Sequence, residues 1–241
     1  MTYSKEFFQL QLIFAEKISS ITDTTLETAL LEYTTLYRSL QIPDWDFNSE
    51  HVVWQQFLKV FRESPDKLDA IYNFYLLRLC EEKKVKQFGC FAYDYSEERK
   101  QITMHLTGNG TTNILAKENR EKRKEELRNM FREIKEKYPE VETVFGFSWL
   151  YNIDAYTRLF PQEYIQSLRP PKTLPPAYYR ALALWGQFID GAGEIRKEKA
   201  ERFLNCIKSK STLEEALDCF EYKLLRAESG IGCFFEFYEI E

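Results

Sequence analysis

Histidine is scarce in this chain, with two residues in 241, and glycine is thin at nine. His51 and His105 cannot build a histidine-rich metal centre, and neither neighbours a cysteine pair, so no metal site is expected. The five cysteines (Cys80, Cys90, Cys206, Cys219 and Cys233) are odd in number and never fall in C-x-x-C spacing. Most lie in apolar segments, which predicts reduced, buried thiols in a reducing, cytoplasmic compartment. No uncharged apolar run reaches the roughly 20 residues of a membrane span. The first residues include Lys5 and Glu6 where a secretory leader would be apolar, so no leader is expected. There is no G-x-S-x-G elbow, no G-x-x-x-x-G-K-S/T loop and no H-E-x-x-H, which removes three common catalytic templates. The net charge of −5 disfavours a general nucleic-acid binder, whose surface would be basic.

What the chain does hold is aromatic: 19 Phe, 15 Tyr and 4 Trp. A chain of this length buries roughly 70% or more of its unfolded surface. The rings therefore fill a core or line a pocket. Up to about residue 85 the apolar period is helical. Phe7, Leu10, Phe14 and Ile18 form one stripe, and Thr24-x-x-Glu27 reads as a capping box before a second. His51 stands at the start of a third helix, and Ser64-Pro65 reads as N-cap and first residue of a fourth.

At Phe88 the period changes to two. Phe88–Tyr95 and Lys100–Thr107 are predicted strands joined by a charged turn, with Ile102, Met104 and Leu106 on one face and Gln101, Thr103 and His105 on the other. After the loop Gly108–Thr112, a helix is predicted from Lys117 to Tyr138, ended by Pro139. It carries nine Lys/Arg and six Glu up to Lys137, the mixture of a solvated helix face. Val141–Leu150 reads as a strand with Thr143, Phe145, Phe147 and Trp149 on one face, followed by two short helices. Ala181–Ile189 suits a strand or a helix, with the strand preferred, further strands are expected at Phe220–Leu225 and Gly232–Ile240, and a helix at Glu194–Lys208. The resulting fold class is α+β: a helical region, 1–85, packed on a mixed, mostly antiparallel sheet of about six strands in 86–241. With no flexible linker between them, the two parts are expected to form one cooperative unit.

Ligand chemistry concentrates at strand ends, where open sheets expose crevices. His105 precedes Gly108-Asn109-Gly110-Thr111-Thr112, whose glycines let backbone N–H groups approach phosphate oxygens. Trp149, Tyr151 and Asn152 close the later strand and Arg158 follows, offering stacking, a hydroxyl and a charge clamp for a substrate pocket. The loop spacing resembles the Gln/Arg-x-x-Gly-x-Gly/Ala signature of GCN5-related N-acetyltransferases, with His105 at its first position. The order of hairpin, loop, long helix and strand is similar to that fold as well. The resemblance implies an acyltransferase-like core. Gly108–Thr112 would cradle the pyrophosphate of an acyl-CoA, and His105 or Tyr151 would move a proton. A second likeness, carried by Gly146-Phe147-Ser148-Trp149-Leu150-Tyr151-Asn152, by Tyr156–Pro161 and by Leu184–Phe188, resembles a family of uncharacterised bacterial proteins and implies no activity. Two function classes follow: an acyl-CoA-dependent acyltransferase, or a non-catalytic ligand- or protein-binding module with an aromatic-lined pocket. A membrane partner is not expected. Nucleic-acid contact along Lys117–Lys137 is disfavoured by the acidic balance.

Overall fold

The computed structural model describes residues 2–43, 46–79, 86–107, 114–172 and 177–241. In chain order its elements are α1 (Lys5–Ile21), α2 (Leu26–Tyr33), α3 (Leu36–Ser39), α4 (Val52–Glu63), α5 (Lys67–Arg78), β1 (Phe91–Ser96) and β2 (Gln101–Leu106). There follow α6 (Arg120–Lys137), β3 (Thr143–Ser148), α7 (Asp154–Thr157), α8 (Gln162–Gln166), α9 (Ala177–Arg180), α10 (Leu182–Trp185), α11 (Lys197–Lys208), α12 (Leu213–Leu217), β4 (Leu225–Gly230) and α13 (Ile231–Phe237). No helix among the described residues is long and apolar enough to cross a membrane. The contacts divide the chain into a helical unit, 1–82 with 173–221, and a sheet unit, 83–172 with 222–241.

In the helical unit the stripe of α1 is buried as its spacing demands, with Phe7, Phe14 and Ile18 fully inaccessible. Its aromatic centre is Phe14, Trp185, Phe188, Phe203 and Phe220, with the Phe203 and Phe220 rings 4.8 Å apart. Buried Gln11 accepts hydrogen bonds at Oε1 from the Thr35 amide (2.7 Å) and hydroxyl (2.9 Å), so its polar end is satisfied. Two predicted caps move by a residue or more. Thr25, not Thr24, caps α2 by accepting from the Thr28 amide, and Glu27 instead takes Arg62 in a two-pronged ion pair. Asp66, not Ser64, caps α5. The segment expected as a strand at Ala181–Ile189 is α10 followed by a 3-10 turn, Gly186–Phe188. Leu184, Trp185 and Phe188 are buried together, which is helical spacing rather than alternation.

Cys206 and Cys219 are joined in a disulfide, Cα to Cα 5.8 Å, where free thiols were expected. The bond links the last turn of α11 to the residue two beyond α12, a pairing that depends on how the two helices fold back and has no sequence signature. Closing a loop of this length contributes about 3 kcal/mol by restricting the unfolded chain. Cys206→Ser/Cys219→Ser is therefore expected to lower the urea midpoint of the helical unit. The wild-type chain should lose the same stability on reduction, while the variant should be indifferent to reductant.

Among the described residues the sheet unit has four strands in the order β1-β2-β3-β4, not about six. β1 and β2 pair antiparallel along their full length, β2 and β3 parallel, β3 and β4 antiparallel. α6 lies on one face and buries Arg123, Leu127, Met130, Phe131 and Ile134. That face of the sheet supplies Phe91, Ile102, Met104, Val144 and Ala227. On β3 the buried positions are Val144 and Gly146; Thr143, Phe145 and Phe147 share the other face and are half-buried. The aromatic tail expected as a strand is α13. Ile231, Phe234 and Tyr238 recur at three and four residues, and Phe234 and Tyr238 stack on Phe131 at 4.6 and 5.4 Å. The last strand comes just before it, in the less apolar Leu225–Gly230.

Candidate functional site

The β2–β3 junction departs from a regular sheet. Each strand has six residues, yet they pair only at Gln101–Thr143, Ile102–Val144 and Thr103–Phe145. Beyond that point Met104–Leu106 and Gly146–Ser148 run without a shared ladder. A parallel pair that opens at its C-terminal end makes a crevice with unpaired backbone groups on both walls. The loop expected to hold a pyrophosphate, Gly108, Asn109, Gly110, Thr111 and Thr112, lies outside the described residues.

His105 sits on the sheet face away from α6, with its side chain 44% exposed. Its Nε2 lies 2.8 Å from Oδ2 of Asp94 on β1, a diagonal neighbour across the antiparallel pair. A carboxylate at that distance orients the ring. Asp94 was not singled out in the sequence, because a diagonal contact needs the hairpin register to be known.

Tyr151 lies in a 3-10 turn, Trp149–Asn152, and is buried in the core of the sheet unit. Its hydroxyl is 2.6 Å from that of Tyr164, and both sit against Gly146, where a Cβ would overlap them. Burial pushes the Tyr151 hydroxyl well above the ordinary tyrosine range, with Tyr164 adding to the effect. Trp149 is buried and stacks on Tyr222 at 5.3 Å. Asn152 donates through Nδ2 to the Trp149 and Lys223 carbonyls, tying the turn to the approach of β4; it does not cap α7, which begins after Ile153. These three residues hold the turn after β3 in place.

Of the expected pocket residues, Arg158 lines a cavity. That cavity, about 190 Å³, lies between the start of α6 and the segment around α7, and its cations are Lys117, Arg120, Arg123 and Arg158 over an apolar floor that includes Leu115 and Leu159. Arg158 pairs with Asp154 at 3.4 Å, both exposed. Arg123 is 5% exposed. Its Nη1 donates to Cys90 Sγ at 2.9 Å and its Nη2 meets Glu126 Oε1 at 2.9 Å, while Nε has no partner among the described residues. Glu126 also accepts from the Cys90 amide at 3.3 Å. It fits there because Gly89, at φ 61°, has no side chain to meet the carboxylate.

Burial pushes the Cys90 thiol from 9.0 up to about 12, against the pull of Arg123. Because the folded value is the higher one, the thiol's contribution to stability is complete below pH 9. It is lost as the pH rises toward 12. In Cys80→Ser/Cys233→Ser, Cys90 should not react with a disulfide reagent at pH 8 until urea unfolds the sheet unit. Prompt reaction of the folded variant would contradict the burial.

Among the described residues no group of three or more metal-ligating side chains occurs. Comparison with protein-family models, curated proteins and solved structures returns no match.

Proposed function

We propose that the sheet unit is an acyl-CoA-dependent acyltransferase-like domain whose cofactor lies in the crevice between β2 and β3. The observation that carries the reading is the three-residue limit of their pairing. The edges of Met104–Leu106 and Gly146–Ser148 present backbone donors and acceptors that the amides of a pantetheine arm can meet, as an added strand would. The glycine-rich loop Gly108–Thr112 follows the first of those edges in the sequence, where it would receive the pyrophosphate. His105, oriented by Asp94, takes a proton from the acceptor nucleophile as it attacks the thioester carbonyl. The C–S bond then breaks, and the leaving thiolate takes up a proton. Most of the acceleration comes from holding the two substrates together. The aromatic residues support the alternative, an aromatic-lined binding module, less well, because many large ones, among them Trp54, Trp185, Tyr37, Tyr75 and Tyr164, are fully buried in the two cores.

Acetyl-CoA at a hundredfold excess over its dissociation constant should stabilise the protein by about 2.7 kcal/mol, read as a rise in Tm. His105→Ala should keep that rise and slow thiol release from acetyl-CoA, with an amine acceptor present, by about a hundredfold or more. Absence of any rise with acetyl-CoA or longer acyl-CoAs would refute the reading.

A further inference from the structure

We infer that the cavity between the start of α6 and α7 is a binding site for a phosphate monoester carried on a small apolar body. This goes beyond acyl transfer and does not rest on it. The argument is a charge balance in a chain that is acidic overall. None of the residues lining the cavity is acidic, and four are cationic. Arg123 is neutralised by Glu126, and Arg158 is partly offset by Asp154. Lys117 and Arg120, both exposed, make no ion pair among the described residues. Two cations outside any ion pair beside one cavity match a dianion, and a phosphate monoester carries between 1.5 and 2 negative charges at neutral pH.

Arg123 supplies the second, independent observation. It is buried to nineteen-twentieths, it lines the cavity, and its Nε–H has no acceptor among the described residues. A buried donor of this kind costs free energy unless something accepts from it. The Cys90 and Glu126 contacts hold the guanidinium rigidly, so its remaining donor is fixed in place before a ligand arrives. Arg120 is the first residue of the 18-residue α6, so the positive end of the helix dipole adds to the same field. Leu115 and Leu159 then make room for carbon rather than for a bare ion.

The test titrates phenyl phosphate into the full chain by calorimetry, with phenol as the neutral control. Saturable binding of one equivalent is expected, with none for phenol. Affinity should fall at least tenfold in Arg120→Ala/Arg158→Ala, whose side chains lie at the rim and whose fold is checked by circular dichroism. Binding should weaken below pH 6, where the phosphate loses its second charge. Arg123→Lys, which keeps a cation beside Glu126 but not the Nε donor, should also weaken binding while the rim is intact. Competition separates the two sources of such a phosphate. Displacement by coenzyme A but not by its 3′-dephospho form assigns the site to that cofactor's own phosphate, and binding alongside coenzyme A assigns it to a second ligand. No saturable binding, equal binding of phenol, or an affinity unchanged in the double variant would overturn the inference.

Discussion

Gly146→Ala should destabilise the sheet unit by about 2–4 kcal/mol, although it adds a single methyl group. Gly146 is the first residue of β3 beyond its pairing with β2, while it still pairs with Ala227 of β4. The new Cβ would overlap the hydroxyls of both Tyr151 and Tyr164. Each is buried and each is the other's hydrogen-bond partner at 2.6 Å, so moving either ring breaks the bond as well as the packing. Urea unfolding followed by near-ultraviolet circular dichroism measures the loss. Tyr151→Phe in the same chain removes the nearest oxygen and should recover part of it. A midpoint for Gly146→Ala within 0.5 kcal/mol of wild type, the usual range of a surface change, would show that the two hydroxyls do not close over this strand.

Arg123→Leu should cost about 3–5 kcal/mol, the penalty of leaving one buried charge without its partner. Here the orphan is Glu126, whose side chain is 13% exposed and whose remaining contacts are the Cys90 amide and thiol. Arg123→Leu/Glu126→Leu removes both charges. It should be markedly more stable than the single variant, because a buried pair replaced by apolar side chains of similar volume is often near neutral. Equal stabilities of single and double variants in a denaturant cycle would contradict the pairing. The same cycle bears on the phosphate site. The double variant should fold yet lose phenyl phosphate binding, which separates the cavity's ligand role from its role in stability.

The hairpin was legible because Ile102, Met104 and Leu106 alternate with polar residues, and α6 was legible because Leu127, Met130, Phe131 and Ile134 recur at helical spacing. Arg123 could have been found by the same rule. It stands four residues before Leu127, on the buried stripe of a helix otherwise rich in exposed charge. The high charge of the segment hid the one cation that faces inward. The tail misled for a related reason. Phe234, Phe235, Phe237 and Tyr238 suit a strand by residue type, but the buried ones, Phe234 and Tyr238, are four apart. Pairing register is a tertiary property, so neither the early end of the β2–β3 ladder nor the diagonal His105–Asp94 contact could be read from the chain. Tyr151, Trp149 and Asn152 have the right chemistry for a site. Their positions became clear only with the turn after β3, which sends Tyr151 under Gly146 and Trp149 against Tyr222.

The central claim is that the ends of β2 and β3 beyond their shared ladder receive an acyl-CoA. Backbone amide spectra of the full chain, recorded by NMR through a titration with acetyl-CoA, test it at the atoms concerned. The account predicts saturable shifts and slowed hydrogen exchange at Met104–Leu106 and Gly146–Ser148, with the paired residues Gln101–Thr103 nearly unchanged. Saturation of shifts elsewhere while those two edges stay silent would contradict it.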